Sequence, residues 1–333
     1  MRLKTAGSFI CSLAVASLTT TPSAARADVE IREWPVPWQD SRPRDPDFVN
    51  ATTVWFVGQQ GQYLAKLNPQ TGEFDKVELE DDPGPHNLIV GRDGIVWYAG
   101  NRKGYIGRYD PRTDELRKIA LPDPKARDPH TLVFDAKAEH IWFTVQGGNF
   151  VGRLDVASER VQLIPVPTNG ARPYGIVVDA DGTAWVALFG THKLASVDPD
   201  TLTLTEHALP RSESRPRRLG LDSQGSVWYV DYATGYLGRY DPQRDAFEEW
   251  QLPGGEDSRP YGMAVDARDR IWAVETGSQP NRFVGFDAGS GEFSDSTAVP
   301  SGGGTIRHVD YDPQTGRIWF GTDANTIGYA DVH

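Results

Sequence analysis

Polar side chains with potential chemistry recur at one position along the 333-residue chain, eleven or twelve residues before a tryptophan. They comprise arginines, histidines and tyrosines. Arginine forks bind carboxylates and phosphates, histidine exchanges protons near neutral pH, and tyrosine rings stack on ligands. The set predicts a site for a small polar or anionic ligand. Its members are Arg44, His86, His130, Tyr174, Arg217, Tyr261 and Arg307.

A second set of polar residues follows the same tryptophans by three or four positions, and it includes Glu275, which we expect to join the ligand site. Two interpretations of the arginines remain open. In one, Arg217 and Arg307 bind the ligand. In the other, Arg217 pairs with Asp231 and Arg307 with Asp323, so that each charge is neutralised inside its own repeat.

The two histidines are the predicted catalytic residues, because a positioned imidazole can act as a general base. Asp128 lies two residues before His130, and Gln146 lies four residues after Trp142. Oxygen donors of this kind could hold a hard divalent ion such as Mg²⁺ and leave a histidine free as the base. One carboxylate is fewer than most magnesium sites use.

The elements that carry these residues repeat. Each unit has a turn with proline, an apolar strand, a tight polar turn, the tryptophan strand and two further strands. Four short strands in a repeat of 42 to 47 residues are typical of a propeller blade. The tryptophans, interpreted as packing residues between blades, are Trp55, Trp97, Trp142, Trp185, Trp228, Trp272 and Trp319.

The sequence therefore predicts an all-β fold, a seven-bladed β-propeller of four-stranded blades over residues 28–333. The chain stops after 326–333 without a fourth strand for the last blade. Residues 31–37 resemble a final strand but have no blade before them. We expect this N-terminal strand to complete the C-terminal blade and close the ring, which removes exposed sheet edges.

Residues 1–27 have the pattern of a secretory signal peptide, with a basic start, an apolar core at 8–18 and cleavage after Ala27. This predicts a periplasmic or secreted protein. The only cysteine, Cys11, lies in that core, so the mature chain has neither disulfide nor thiolate chemistry. The net charge of −12 argues against nucleic acid and membrane insertion as partners. We expect a monomer, and no motif indicates an organic cofactor.

The repeated motif P-[HY]-G-I-x-x-D-x-x-G-x-[IV]-W-[FV], followed by IGR-x-D, resembles the streptogramin lyase (virginiamycin B lyase-like) family. The matching segments are RPYGIVVDADGTAW (172–185), RPYGMAVDARDRIW (259–272) and YIGRYD (105–110), and the resemblance extends over residues 29–333. It implies a Mg²⁺-dependent carbon–oxygen lyase that opens the ester linkage of a cyclic depsipeptide by elimination, without water.

The resemblance also implies where catalytic groups would lie, and several positions depart from it. Where the family has histidines, this chain has Tyr261 and Arg307, and Thr305 stands where the family has a glutamate. Arg44 replaces a substrate-contacting tyrosine. Only Asp323 keeps the carboxylate that the resemblance implies at its position. Asp323 and Asp128 are the predicted metal ligands. Since an arginine cannot act as a base at neutral pH, a site rotated around the ring, with Asp128, His130 and His86, remains the alternative.

Two functions follow from these observations. The first is an exported lyase-like enzyme acting on a cyclic ester or a related periplasmic substrate at the central mouth. The second is a non-catalytic periplasmic binding or scaffold propeller that holds an anionic small molecule or a protein partner. The sequence leaves both open.

Overall fold

The computed structural model describes residues 29–294 and 296–333, and the predicted signal peptide lies outside these ranges. Within them the chain forms seven antiparallel sheets. One 3-10 helix, Gly255–Ser258, precedes the sixth blade. Because the first strands of neighbouring sheets pack side by side around a common centre, the sheets are the blades of a β-propeller. The predicted all-β, seven-bladed architecture is confirmed.

In blades 1 to 6 the strands follow one another in chain order from inside to outside. Strand β1 is Glu30–Pro35. Blade 1 contains β2 (Pro43–Asn50), β3 (Thr53–Gly58), β4 (Tyr63–Asn68) and β5 (Glu73–Glu78). Blade 2 contains β6 (Pro85–Val90), β7 (Val96–Gly100), β8 (Tyr105–Asp110) and β9 (Glu115–Ala120). Blade 3 contains β10 (Pro129–Phe134), β11 (His140–Val145), β12 (Phe150–Asp155) and β13 (Val161–Pro165). Blade 4 contains β14 (Pro173–Val178), β15 (Ala184–Leu188), β16 (Lys193–Val197) and β17 (Leu204–Ala208).

Blade 5 contains β18 (Pro216–Leu221), β19 (Val227–Asp231), β20 (Tyr236–Asp241) and β21 (Ala246–Gln251). Blade 6 contains β22 (Pro260–Val265), β23 (Arg270–Glu275) and β24 (Arg282–Asp287), with its outer edge divided between β25 (Glu292–Phe293) and β26 (Thr297–Ala298). Blade 7 contains β27 (Val309–Asp312), β28 (Arg317–Gly321) and β29 (Thr326–Asp331).

Strand β1 completes blade 7, as the sequence predicts. It pairs antiparallel with β29 over its whole length, from Glu30 opposite Asp331 to Pro35 opposite Thr326. The sheet order is β1-β29-β28-β27. The two ends of the described chain are thus joined in one sheet, and the ring closes through main-chain hydrogen bonds.

The recurring tryptophans lie in the hydrophobic core between blades, which confirms their predicted packing role. In blade 4, Asp179 accepts hydrogen bonds from the backbone of its own turn and from Trp185 Nε1 at 2.9 Å. Asp222 and Asp266 contact Trp228 and Trp272 in the same way. The aspartate of the sequence motif therefore stabilises the turn and fixes the tryptophan ring, because one carboxylate can accept both sets of bonds.

A β-bulge in the inner strands directs the predicted site residues toward the propeller axis. In blade 3, Pro129 pairs with Val145 and Leu132 with Phe143, so the two residues between them face a single partner. The same shift, across the two residues after the proline, occurs in blades 2, 4, 5 and 6. In blade 1 it comes one residue later, because Arg44 pairs with Val57 and the two residues Asp45 and Pro46 face a single partner. Such a bulge redirects side chains that would otherwise alternate between the faces. In blade 7, β27 begins at Val309, after Arg307.

Two carboxyl groups lie close together where blades 7 and 1 meet. Asp47 and Asp310 occupy the position opposite the blade tryptophan, where the other blades have Ile89, Val133, Val177, Gly220 and Ala264. Asp47 accepts a hydrogen bond from Val90 N at 2.7 Å. Burial, together with the charge of Asp310, raises the pKa of Asp47 well above its usual value. Burial also raises the pKa of Asp310 to about 7.

The Asp310→Asn variant is expected to change the pH dependence of stability. An aspartate of an unfolded chain titrates near pH 4, so between about pH 4 and 7 the native state holds a proton that the unfolded state has lost. This contribution lowers stability as pH rises through that window, by at most about 1.4 kcal/mol per pH unit. The neutral variant removes it and should gain stability relative to wild type between pH 4 and 7.

Urea unfolding at several pH values measures this difference, with the exposed Asp200→Asn as the matched control. Parallel stability curves for wild type and Asp310→Asn would contradict the raised pKa of Asp310.

In the two described ranges, no helix combines the length and the apolar character needed to cross a bilayer.

Candidate functional site

One residue at the start of the inner segment of each blade lies at an opening at the propeller axis, and we call these residues the mouth layer. It consists of the seven residues predicted from the sequence, Arg44, His86, His130, Tyr174, Arg217, Tyr261 and Arg307. All of them line a cavity of about 350 Å³. The other lining residues are Arg42, Gln59, Asn101, Asp128, Gln146, Arg172 and Phe189.

Three rings of the mouth layer pack against one another in a row, with tilted planes. The ring centroids of His86 and His130 are 3.8 Å apart, and those of His130 and Tyr174 are 4.1 Å apart. His86 Nδ1 contacts the carbonyl of His130, and His130 Nδ1 contacts Thr131 Oγ1 at 2.8 Å. Burial and nearby arginines hold the pKa of both histidines well below the usual range. Both imidazoles are therefore neutral at physiological pH, and their catalytic role stays a prediction.

Arg217 is surrounded by aromatic rings. Its guanidinium carbon lies 3.4 Å from the ring centroid of Tyr261, 4.2 Å from that of Tyr232 and 4.8 Å from that of Phe189. It also donates a hydrogen bond to the hydroxyl of Tyr174 at 3.3 Å. Its buried Nε has no hydrogen-bond partner within the described chain.

Of the two interpretations left open for Arg217, the pairing with Asp231 does not occur. Asp231 is fully buried and accepts hydrogen bonds from the backbone of Arg215 and Ala233, and it forms an ion pair with Arg211 at 3.2 Å. Its carboxylate is thus used to fix the loop before β18 and the turn after β19. Arg217 keeps its positive charge without a carboxylate among the contacts of the described residues.

The second predicted pair is confirmed, because both nitrogens of the Arg307 fork donate to the two oxygens of Asp323. Arg42 lies 3.6 Å from the same carboxylate. Asp128, in turn, accepts hydrogen bonds from the backbone of Gly147 and Gly148. Asp128 and Asp323 therefore already have partners, and no cluster of three metal-ligating side chains occurs in residues 29–294 and 296–333. In this arrangement the carboxylates of Asp128 and Asp323 do not form a site that fits a magnesium ion. Magnesium binding stays a prediction.

Glu275 lies away from the lining of the mouth. It is almost fully buried and accepts a hydrogen bond from Gly254 N at 2.7 Å. Burial raises the pKa of its carboxyl group. In this arrangement Glu275 holds the loop before β22, and its predicted role in ligand binding remains untested.

The residues that directly follow the mouth layer in the chain form a second set, which we call the inner layer and which sequence analysis missed. It consists of Asp45, Asn87, Thr131, Gly175, Arg218, Gly262 and His308. The chemical types of these residues follow no regular pattern around the ring, and two of them are glycines. A Cβ at position 175 would lie 2.6 Å from the carbonyl oxygen of Arg217, so glycine permits the neighbouring inner strand to approach. In the sequence, the only feature that marks the inner-layer residues is that each one directly follows a mouth-layer residue.

The inner layer contains a buried charge network around Asp45. Arg44 Nε donates to Asp45 at 2.9 Å, and Asn87 donates to the other carboxylate oxygen at 3.2 Å. Arg218 lies 3.9 Å from Asp45 and donates to Thr131 Oγ1 at 2.9 Å. One Nη of each arginine is buried without a hydrogen-bond partner in the described chain.

Positive charge exceeds negative charge in this part of the channel. Arg44 and Arg218 share one carboxylate, that of Asp45, and Arg217 has no carboxylate partner among the described residues. Burial raises the pKa of Asp45, but the charges of Arg44 and Arg218 outweigh this effect, and the net result is a lowered pKa. His308 contributes no charge, because burial and Arg218 lower its pKa to about 3. The channel therefore attracts an anion or favours ionisation of a neighbouring acid.

The hydroxyl groups of Tyr174 and Tyr261 are hydrogen-bonded to each other in the mouth layer. Burial raises the pKa of Tyr174 to about 12. Burial also opposes ionisation of Tyr261, but the charges of Arg217, Arg44 and Arg218 outweigh it and lower the pKa of this phenol. The surroundings thus shift the pKa values of two phenol groups in contact with each other in opposite directions.

A family model for the virginiamycin B lyase family matches residues 19–283. The chain belongs to this family. The match ends before Thr305, Arg307 and Asp323, three of the positions that the resemblance compares with catalytic groups. No curated protein sequence matches the chain.

Solved structures of family members share the fold. The structure described as a streptogramin B lyase has 20% sequence identity and a TM-score of 0.82, and the match covers 93% of this chain and 100% of that one. A catalytically inactive variant of virginiamycin B lyase from Staphylococcus aureus, solved with quinupristin, has the same identity and TM-score, over 92% of this chain and 100% of that one. Hydrazine synthase from Kuenenia stuttgartiensis matches at 13% identity and a TM-score of 0.73, over 88% of this chain and 96% of that one. At these identities the likeness shows the fold alone.

Proposed function

We propose that this member of the virginiamycin B lyase family is an exported carbon–oxygen lyase that acts on a small anionic substrate at the mouth layer. Membership of the family supports the reaction class. The observation that supports the substrate class is Arg217, a cation held among aromatic rings, close to the opening and without a carboxylate partner in the described chain.

Arg217 suits an elimination as well as binding. When a proton is removed from the carbon next to a carboxylate or carbonyl group, negative charge develops on its oxygens. A fixed guanidinium close to these oxygens stabilises that charge by electrostatics and by paired hydrogen bonds. The surrounding rings limit access of water to the guanidinium, which strengthens the interaction.

The Arg217→Met variant tests the binding part of the proposal. Methionine keeps an apolar chain of similar length but removes the charge, and we expect the affinity for a bound carboxylate to fall about 10- to 100-fold. Isothermal titration with a panel of small carboxylates, sugar acids and phosphate measures the effect. The matched control is Arg215→Met, since Arg215 contacts its own loop through the carbonyls of Ser212 and Ser214. Equal affinities for the two variants would refute the site.

The reaction class is tested by mass. Cyclic depsipeptides of the streptogramin B type, including quinupristin, and acyclic anionic esters are incubated with the protein, with and without Mg²⁺ and with chelator. Elimination opens a ring without a change in mass, whereas hydrolysis adds one water. Ring opening at unchanged mass supports the lyase, and a gain of water would contradict it.

The second candidate is a binding propeller without catalysis. It is favoured by the bidentate contact between Arg307 and Asp323, which occupies the carboxylate that the family comparison assigns to metal binding. Carboxylate binding that depends on Arg217, together with no product from any substrate of the panel, would support this alternative over the lyase.

A further inference from the structure

The hydroxyl groups of Tyr174 and Tyr261, both in the mouth layer, are hydrogen-bonded to each other. Both side chains are nearly inaccessible except at the opening that they line. Phe189 packs against Tyr174, with ring centroids 5.2 Å apart, and the ring of Tyr232 lies edge-on to Tyr261 at 6.2 Å. These contacts hold the two phenol groups in one orientation.

Three guanidinium groups approach this pair, two from blade 5 and one from blade 1. Arg217 stacks on the ring of Tyr261 at 3.4 Å from above, and Arg218 lies 5.9 Å from the same ring in the inner layer. Arg44 approaches from blade 1, where Asp45 and Gln59 accept two of its hydrogen bonds. With one buried carboxylate for three cations, a phenolate is the missing counter-charge. Burying an uncompensated cation costs several kcal/mol, so the surroundings favour an ionised tyrosine.

From this geometry we propose that Tyr261 is the general base of the mouth site and that Tyr174 is its partner acid. The Arg217 guanidinium lies closer to the ring of Tyr261 than to that of Tyr174. The hydroxyl of Tyr174 is hydrogen-bonded to both Tyr261 and Arg217. The shifts of their pKa values in opposite directions agree with this division, because environments that separate two titrating groups assign the acid and the base.

The assignment rests on the proposed elimination for its use. Tyr261, as the phenolate, takes the proton from the carbon next to the substrate carboxylate or carbonyl. The electrons of that C–H bond form the carbon–carbon double bond, and the adjacent carbon–oxygen bond breaks with its electrons on oxygen. The leaving oxygen takes the proton of Tyr174. A proton then passes from Tyr261 to Tyr174 through their hydrogen bond, which restores the starting state.

A direct consequence concerns stereochemistry. Because the two hydroxyl groups are in contact, base and acid reach the substrate from the same side. The proton and the leaving oxygen must therefore depart from one face of the substrate. An anti elimination would contradict the assignment of both roles to this pair.

The ionisation of Tyr261 is measured without any substrate. Ultraviolet difference titration of the protein follows tyrosinate formation among its 12 tyrosines. We expect one tyrosine to ionise below pH 10, and this signal should disappear in Tyr261→Phe. The control Tyr240→Phe, which removes a phenol outside the mouth, should retain it, since the pKa of Tyr240 is raised by burial to about 12.

A second pair of variants identifies the cause. Arg217→Met should raise the transition of Tyr261 by about one pH unit or more, a tenfold change in its ionisation constant, whereas Arg217→Lys keeps a positive charge and should shift it less. If no tyrosine ionises early in wild type, or if the signal survives in Tyr261→Phe, the inference is overturned. That result leaves the carboxylate affinity measured with Arg217→Met intact, so the two proposals fail separately.

Product formation supplies the second readout. If a substrate is identified, Tyr261→Phe is expected to lower kcat by at least a hundredfold while KM changes little, since general base catalysis contributes about 10²–10⁴. The matched variant His130→Gln tests the histidine predicted from the sequence. A large loss in His130→Gln with activity retained in Tyr261→Phe would assign the base to His130 and overturn the inference.

Discussion

Replacing Asp45 by asparagine is expected to destabilise the protein by about 3–5 kcal/mol, the cost of breaking a buried ion pair by removal of one partner. Asp45 is fully buried, and it supplies the carboxylate that Arg44 and Arg218 share in the inner layer. Asparagine preserves the size of the side chain and tolerates the left-handed backbone at this position, where φ is 47°. The substitution therefore isolates the charge.

The control for this prediction is Asp323→Asn. Asp323 also pairs with arginine, but at the partly exposed rim of the mouth. Solvent screens such a pair, and we expect a loss of about 1 kcal/mol or less. Urea unfolding of both variants measures the difference. Similar losses in the two variants would mean that Asp45 does not neutralise the buried arginines.

The Asp45→Asn variant also bears on Tyr261. With the carboxylate removed, Arg44 and Arg218 lose their compensating charge, so ionisation of the phenol becomes more favourable. We expect the early tyrosinate transition to move to lower pH, opposite in direction to Arg217→Met. A shared network of charges in the channel explains both shifts.

The sequence predicted the fold because every blade must repeat the same packing. A tryptophan between blades recurs in all seven blades, and in blades 4, 5 and 6 an aspartate in the turn before it bonds to its indole nitrogen. Ring closure was equally visible, since a strand missing at one end and an unpaired strand at the other can only be matched with each other. Residues 31–37 were predicted, and β1 covers Glu30–Pro35.

The site was predicted only to the level of which residues line the mouth. Their distance from the tryptophan, eleven residues in five blades and twelve in blades 3 and 7, identified the mouth layer. Pairing was harder to predict, because Asp231 has backbone N–H groups and Arg211 as competing partners within its own loop. A carboxylate satisfied by its own turn has no lone pair to spare for Arg217.

The inner layer could not be predicted because it depends on the bulge. In a regular strand, successive residues point to opposite faces, so the neighbours of the mouth layer would be assigned to packing between blades. The bulge turns both residues toward the axis. As a result Arg218 and Asp45 contribute to the channel, and the electrostatics of Tyr261 depend on residues that the repeat pattern places elsewhere.

Replacing Trp34 by alanine is expected to cost about 3–5 kcal/mol, the typical loss for a buried tryptophan. Trp34 lies in β1, with its ring stacked on Trp319 at 6.0 Å and tilted against Tyr329 at 5.8 Å. These contacts hold the N-terminal strand against blade 7. Because no other described strand covers that edge of β29, loss of the ring should also loosen the closure.

Trp250→Ala separates closure from packing. Trp250 lies in β21 opposite Leu237, as Trp34 lies in β1 opposite Ile327, and it stacks on the tryptophan of its own blade, Trp228, at 5.5 Å. The strand before it in the chain belongs to the same blade, so its loss opens no seam. We expect the larger drop in unfolding free energy for Trp34→Ala, with faster amide exchange along β29 in that variant alone. Equal losses and unchanged exchange in β29 would show that β1 only packs on the ring, because a closing strand must protect the edge to which it is paired.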